Sequence, residues 1–231
     1  MTDAADTPLG ELNVSPTGWA LLGMLSGGDE LSGYDIKKWI NWAIQFFYSS
    51  PAYSQIYSEL KRLERLGLVS SRVDAGARSR RMYRITDAGL SAVTRWANEE
   101  AVEPPTLKHN PVLRVMLGHL LKPGRLREVL AEHADYADRM HQAAATEARW
   151  TEDQPAWSYA GLALRWSERY YAAERELALQ MIKDLDAVEA QLADTGAQNI
   201  EFPVREYWYE VERRIAAEET DETPPGADRP D

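Results

Sequence analysis

Apolar residues recur every three or four positions in three successive segments, residues 15–28, 31–47 and 50–66. This spacing predicts three amphipathic helices. Ser15 and Ser50 are each followed by a proline, and both are predicted to cap a helix. A cap serine accepts hydrogen bonds from free backbone N–H groups, and proline fits the first helical turn. In the third helix, Ile56, Leu60 and Leu63 fall on one face, which leaves the opposite face polar.

The pattern then changes from helical to extended. Residues 68–73 and 80–85 are short β-like runs around the turn-rich, glycine-containing segment 74–78, which predicts a hairpin. Residues 86–89 are predicted to cap a further helix that runs to about residue 100. The order helix, helix, helix, hairpin, helix is that of a winged helix-turn-helix. In that fold the third helix reads bases and the hairpin, called the wing, contacts DNA beside it.

The chain is predicted to continue as an all-helical region. Pro104 and Pro105 indicate a linker, because paired prolines end helices and stiffen the chain. The fold class is therefore predicted as mainly α with a small β-hairpin wing, the winged domain being followed by an all-helical dimerisation domain. The predicted boundaries are a disordered start at 1–14, the winged domain at 15–101, the linker at 102–109, the helical domain at 110–195, a C-terminal extension with a short helix at 196–219 and a disordered tail at 220–231.

Within the last helix of the helical domain, apolar residues recur every seven positions. This repeat is typical of a seam between two coiled helices, although a stripe packed into the protein's own core has the same pattern. We expect the seam to join two copies of the chain. Its members are Leu164, Tyr171, Ala178, Leu185 and Leu192.

The charge distribution changes how the acidic composition is interpreted. The net charge of −11 argues against a nucleic-acid partner. However, residues 1–109 hold 12 Lys and Arg against 13 Asp and Glu, and residues 61–84 hold eight basic residues against two acidic ones. An acidic protein with one dense basic segment can still bind a polyanion through that segment. A solvated basic helix and hairpin would have the same composition.

Several classes of protein are disfavoured by the sequence. The chain has no cysteine, which excludes disulfides and thiolate sites and fits a reducing cytosol. No signal peptide or membrane span is predicted, so a cytoplasmic location is expected. The four histidines are dispersed without an i,i+4 ligand pair, and neither a phosphate-binding glycine loop nor a nucleophile motif is present. We therefore expect neither an enzyme nor a metal or cofactor site.

Three segments carry a resemblance to a known family. They are LSGYDI at 31–36, SQIYSELKRLERLGLV at 54–69 and RMYRITDAG at 81–89. In combination they resemble the PadR family of bacterial transcriptional regulators. The helical second half is similar, more loosely, to the C-terminal domain of the virulence-activator-like branch of that family. The resemblance implies a homodimer that binds an inverted-repeat operator, usually as a repressor, and that in several members responds to a small aromatic or hydrophobic effector.

The DNA-contacting residues are predicted from the third helix and the wing. Side chains at the start of a recognition helix meet base edges, and glutamine can pair with adenine through two hydrogen bonds. The resemblance implies that Tyr57 lies at the DNA face. Alternatively, Tyr53 or Tyr57 could close the core of the small domain. Guanidinium groups in a wing suit phosphates or a narrow minor groove. The predicted contacts are Tyr53, Ser54, Gln55, Tyr57, Lys61, Arg62, Arg78, Arg80 and Arg81.

The effector site and the function each leave an alternative open. Trp157, Trp166 and Tyr170 are expected to line a pocket between helices, although large aromatic residues more commonly serve as core. The function expected is sequence-specific regulation of transcription by a homodimer bound to duplex DNA. The alternative is an adaptor that keeps the winged-helix shape, binds another protein through its acidic half and no longer recognises an operator.

Overall fold

A computed structural model describes residues 12–48, 50–74, 80–102, 104–194 and 204–221. The segments 1–14 and 220–231, which were predicted to be disordered, lie mostly outside the described residues. The N-terminal half contains helices α1 (Pro16–Leu25), α2 (Gly33–Trp42), α3 (Tyr53–Arg65) and α4 (Asp87–Glu99) and strands β1 (Leu31–Ser32), β2 (Val69–Asp74) and β3 (Arg80–Ile85). The C-terminal half contains α5 (Asn110–Met116), α6 (Arg125–Trp150) and α7 (Ser158–Asp194), and α8 spans Val204–Asp221. The prediction of a mainly helical chain with a small hairpin is confirmed.

The sheet has three antiparallel strands in the order β1, β3, β2. The hairpin pairs Val69 with Ile85 and Asp74 with Arg80. The sequence analysis placed Leu31 and Ser32 at the start of the second helix, and this was wrong. They form β1, and Leu31 pairs with Tyr83. Ser32 then caps α2, because its hydroxyl accepts from the backbone N–H of Asp35.

Two helix boundaries also differ from the sequence prediction. The second predicted helix ran to residue 47, but α2 ends at Trp42 and a short 3₁₀ turn follows at Ile44–Phe46. Ser50 does not cap α3. The N-cap is Ala52, which makes no side-chain cap bond, and Gln55 Oε1 accepts from the Ala52 N–H instead. By contrast, Ser15 caps α1 and Thr86 caps α4 as the sequence predicts.

Among the residues that the structure describes, buried side chains form two clusters. The first closes the N-terminal half and packs α1, α2, α3 and α4 against the sheet. The second joins the two halves, because Ala43 and Phe46 pack against Ala144, Ala148 and Leu164. Small residues along α6 allow α7 to approach closely, and α6 and α7 together form the longest helix pair of the fold.

The seven-residue stripe on α7 serves mainly as core. Leu164, Tyr171 and Ala178 are all buried within their own chain, and the Tyr171 hydroxyl donates a hydrogen bond to the backbone oxygen of Phe46 at 3.0 Å. A second chain cannot reach these positions. The prediction that they join two copies is therefore wrong at these three residues. Leu185 and Leu192 lie nearer the C-terminal end, are partly accessible, and remain predicted interface residues.

An apolar surface is exposed at the same end of the helical half as Leu185 and Leu192. Met116 is 74% exposed and Leu120 is 70% exposed, and both lie at the end of α5 or in the turn after it. A groove beside them is lined by residues of α5, α6 and the C-terminal part of α7, including Leu185 and Leu192. Among the helices that the structure describes, none is long and apolar enough to span a membrane.

Candidate nucleic-acid interface

Helix α3 is fixed in the fold by one apolar face. Ile56, Leu60 and Leu63 are fully buried in the first cluster. Because a helix repeats every 3.6 residues, this face turns the remaining positions outward. The structure places five of the predicted contacts on the exposed side of α3: Tyr53, Ser54, Gln55, Tyr57 and Lys61. Burial of the apolar face of α3 thus leaves its polar face exposed to solvent.

A hydrogen-bond network sets the position of α3 relative to α2. The Lys37 ammonium donates to Ser50 Oγ at 2.7 Å and to the backbone oxygen of Pro51 at 2.8 Å. Ser50 Oγ donates in turn to Asn41 Oδ1 at 3.0 Å. The turn between the two helices is therefore tied to α2 just before α3 begins. The sequence analysis missed these positioning residues, since an isolated lysine on a helix face gives no signal of its partner.

Tyr57 packs over the start of α2 at a glycine. A Cβ at Gly33 would lie 2.6 Å from two carbons of the Tyr57 ring and 2.9 Å from its hydroxyl. Any larger residue at position 33 would displace the ring. The packing thus explains the glycine of the LSGYDI segment, Gly33, which leaves room for the Tyr57 ring. Tyr57 stays 42% exposed beside the wing.

Gln55 already uses part of its hydrogen-bonding capacity. Its Oε1 accepts from the Ala52 N–H at 2.8 Å, which satisfies one of the free donors at the start of α3. Its side-chain amide N–H groups remain available as donors. Ser54 and Ser58 lie in the same region and, with Ser15 and Thr17, line a polar groove between α1 and α3. This groove presents hydroxyl and amide groups to solvent.

Arg62 is directed at the protein itself. Its guanidinium donates to the backbone oxygen of Asn13 and pairs with Glu59 at 3.2 Å. This side chain holds the segment before α1 against α3, and its contact with a DNA phosphate stays a prediction. Lys61 is exposed.

The wing is connected to α3 by a hydrogen-bonded chain. Arg81 Nη1 donates to Ser71 Oγ at 3.0 Å, and Ser71 Oγ donates to Glu64 Oε1 at 2.5 Å. Arg81 itself remains about half exposed. This chain fixes the hairpin on the side of α3 that carries Tyr57 and Glu64. Arg78 lies outside the described residues.

Two cations of this surface have no acidic partner in the described part of the chain. Lys61 and Arg80 are exposed, and no described carboxylate oxygen lies within the 4.0 Å of an ion pair. Arg72, in contrast, donates from Nε to both carboxylate oxygens of Glu30, at 2.9 and 2.8 Å, and from Nη2 to Oε2. These bonds hold the pKa of the Glu30 carboxyl below its usual value. The surface therefore combines polar groups on α3 with available positive charge on α3 and β3.

Residues 21–95 match the PadR-like family of transcriptional regulators. They include all of α2, α3 and the hairpin strands and parts of α1 and α4, whereas Ser15 and Thr17 of the polar groove lie outside the match. This matched segment of the N-terminal half is similar to the PadR-like family. The negative transcriptional regulator PadR of Bacillus subtilis is 35% identical over 98 residues, which are 42% of this chain and 53% of that protein. The chain thus spans about half the length of this curated relative.

The PadR-like fold extends into the helical half. The crystal structure of Bacillus subtilis PadR in complex with operator DNA matches with a TM-score of 0.62 and 22% identity, over 73% of this chain and 98% of that one. The structure of the same protein in complex with p-coumaric acid matches with a TM-score of 0.59 and 22% identity, over the same shares. At this identity the matches establish the shared fold.

A second site lies where the PadR-like domain meets the helical half. Trp39 and Trp42 of α2 face Trp150 and Trp157 around a cavity of about 380 Å³. Trp157 lies 4.9 Å from Trp39 and 5.2 Å from Trp42 between ring centres, and the Trp42 indole N–H donates to Glu147 at 2.7 Å. Of the three predicted effector residues only Trp157 lines this cavity. Trp166 and Tyr170 instead stack on each other along α7.

Proposed function

We propose that the protein is a sequence-specific DNA-binding transcriptional regulator that represses its targets as a homodimer on an inverted-repeat operator. Residues 15–101 would bind DNA, and residues 110–195 would hold the dimer and the effector. The observation that carries the proposal is the exposed polar side of α3, next to a wing strand on which Arg80 is exposed and Arg81 is half exposed. Its support from relatives is that Bacillus subtilis PadR is named a negative regulator and has been solved with operator DNA.

Base recognition is assigned to the first two turns of α3. Ser54 and Gln55 offer hydroxyl and amide groups that pair with base edges in the major groove. Gln55 would meet adenine through two hydrogen bonds only if Oε1 accepts from the base as well as from Ala52, which the two lone pairs of an amide oxygen allow. Tyr53 and Tyr57 would contact the sugar and phosphate flanks or a thymine methyl group.

The dimer is assigned to the exposed apolar surface of the helical half. Leucine and methionine side chains exposed together on α5 and its turn form a patch of the kind that marks an interface. Leu185 and Leu192 line the adjoining groove, so we assign this C-terminal part of the predicted seam to the dimer interface. A twofold pairing of this surface would supply what one winged domain lacks, which is contact with enough base pairs for specificity.

The tryptophan-lined cavity is the proposed effector site. Its walls come from α2 of the DNA-binding domain and from α6 and the following turn of the helical half. A small aromatic molecule would stack on indole rings there, and Lys38 and Glu147 at the rim would select its charge. Binding would bias the angle between the two halves and hence the spacing of the two α3 helices in the dimer. The relative solved with p-coumaric acid supports an aromatic ligand.

The DNA proposal predicts a lower salt dependence when the wing arginines are removed. The double change Arg80→Ala with Arg81→Ala should weaken binding to specific and random duplexes alike. It should also reduce the slope of log K against log salt by about 0.9 for each phosphate that the variant no longer binds. Fluorescence anisotropy titrations at salt concentrations from about 50 to about 300 mM, where counterion release dominates, measure both quantities.

A matched control removes two positive charges from α6, away from the proposed DNA surface. Arg139→Ala with Arg149→Ala takes two exposed arginines from α6 and should leave the salt slope unchanged. An equal fall in slope for both double variants would show that only net charge matters. An unchanged slope for the wing variant would exclude the wing from the DNA contact.

A further inference from the structure

Three side chains that are far apart in the sequence meet in the helical half. His109 caps the start of α5, His133 lies on α6 and Glu174 lies on α7. Glu174 Oε2 accepts a hydrogen bond from His109 Nε2 at 2.9 Å and another from His133 Nε2 at 3.0 Å. The two imidazole rings are 4.9 Å apart between centres. The ligand atoms of all three residues lie within 4.8 Å of one another.

From this juxtaposition we propose that His109, His133 and Glu174 bind a divalent first-row transition metal such as Zn²⁺. Two imidazole nitrogens and one carboxylate oxygen are a common zinc ligand set, and water completes a tetrahedral site. Imidazole ligands disfavour Mg²⁺ and Ca²⁺, which prefer oxygen alone. The sequence analysis predicted no metal site, since the histidines are distant in the sequence and only the packing of three helices brings them together.

The surroundings of the cluster suit a metal site. The side chains of His109, His133 and Glu174 are 16%, 17% and 12% exposed, so the ligands are shielded but reachable from solvent. Burial alone would raise the pKa of Glu174, but the hydrogen bonds from His109 and His133 outweigh it and keep the pKa below its usual value. Tyr170 also helps to keep the pKa of the Glu174 carboxyl low, and it would orient the carboxylate as an outer partner of the metal.

Metal binding would change the start of α5. His109 Nδ1 accepts from the Val112 N–H at 3.2 Å, which places the ring proton of neutral His109 on Nε2, the atom that faces Glu174. A metal needs the lone pairs of both Nε2 atoms, so on His109 and on His133 the proton moves from Nε2 to Nδ1 through solvent, and the cap bond from Val112 to His109 breaks. One neutral hydrogen bond is a small loss beside a metal–ligand bond. The metal would then tie the end of the linker to α6 and α7.

Calorimetric titration of the untagged, chelator-treated full chain with Zn²⁺ tests the proposal without DNA. We expect one Zn²⁺ per chain, a raised melting temperature, and no heat from Mg²⁺. His133→Gln and Glu174→Gln should each weaken Zn²⁺ binding by at least about 100-fold, more than the loss of an outer partner. The matched control is His141→Gln, on the same helix α6, whose ring hydrogen-bonds to the backbone oxygen of Glu168 outside the cluster. It should bind Zn²⁺ as the wild type does.

His133→Gln and Glu174→Gln also remove hydrogen bonds between helices, so a loss of Zn²⁺ binding could come from misfolding. A second measurement therefore uses the wild-type protein. The zinc-edge X-ray absorption spectrum of the loaded protein should show two imidazole ligands and oxygen neighbours. Absence of stoichiometric binding, a spectrum with fewer than two imidazoles, or equal loss of binding in His141→Gln would each overturn the proposal. Failure of the DNA-binding proposal would leave all of these measurements unchanged.

Discussion

If the protein is the proposed homodimer, replacing Met116 and Leu120 by Asp is expected to convert it into a monomer. Both side chains are largely exposed in the single chain, and a stable association would bury them. Two carboxylates in an apolar interface carry a large desolvation cost. Loss of the second DNA-binding domain should lower affinity for an inverted repeat by about 10²–10⁴-fold, while affinity for a single half-site stays nearly unchanged. Sedimentation and anisotropy measure the two effects.

The control for this variant places the same charge on another face. Ala187→Asp with Ala190→Asp adds two carboxylates at exposed positions of α7 and should leave the dimer intact. Leu185→Asp with Leu192→Asp should behave like the Met116 and Leu120 pair, because these leucines line the same groove. A dimer that survives both apolar-to-acidic variants would show that the interface lies elsewhere.

Replacing Leu164 by Ala is expected to lower the free energy of unfolding by about 2–5 kcal/mol. Leu164 is fully buried where the PadR-like domain meets the helical half, against Ala148 and Tyr171. The substitution leaves a cavity that the surrounding helices fill only in part. Urea denaturation of the full chain, followed by circular dichroism, measures the change.

Leu177→Ala is the matched control, since it makes the same substitution at an exposed position of the same helix. It should lower stability by well under about 1 kcal/mol, as surface substitutions commonly do. The dimer should persist in both variants. If Leu164→Ala produced monomers of undiminished stability, then the seven-residue stripe would join two chains after all.

The elements of the N-terminal half were predictable from local pattern. Ile56, Leu60 and Leu63 repeat at helical spacing, and the same three residues are the buried face of α3. The polar positions between them must then be exposed, so the candidate contacts followed from the core positions. Arg62 was the exception, because its partners Asn13 and Glu59 could not be inferred from helical spacing.

The helical half was harder because its chemistry depends on long-range packing. A stripe such as Leu164 and Tyr171 shows that a helix has an apolar face but not which helix covers it. The His109, His133 and Glu174 cluster and the tryptophan-lined cavity also depend on which helices pack together. Trp42 and Trp150 are distant in the sequence, yet their ring centres lie 5.6 Å apart. Only the packing of α2 against α6 brings such residues together.

The central claim, that α3 gives the protein its DNA sequence preference, is tested most directly by selection from a random duplex library. Wild-type protein should enrich an inverted repeat whose half-sites lie about 10 base pairs, or a multiple of one helical turn, apart. Ser54→Ala with Gln55→Ala should abolish this enrichment and leave affinity for random duplex within about threefold, since phosphate contacts carry that affinity. A folded, dimeric wild-type protein that enriches no sequence would contradict the claim and favour the adaptor function.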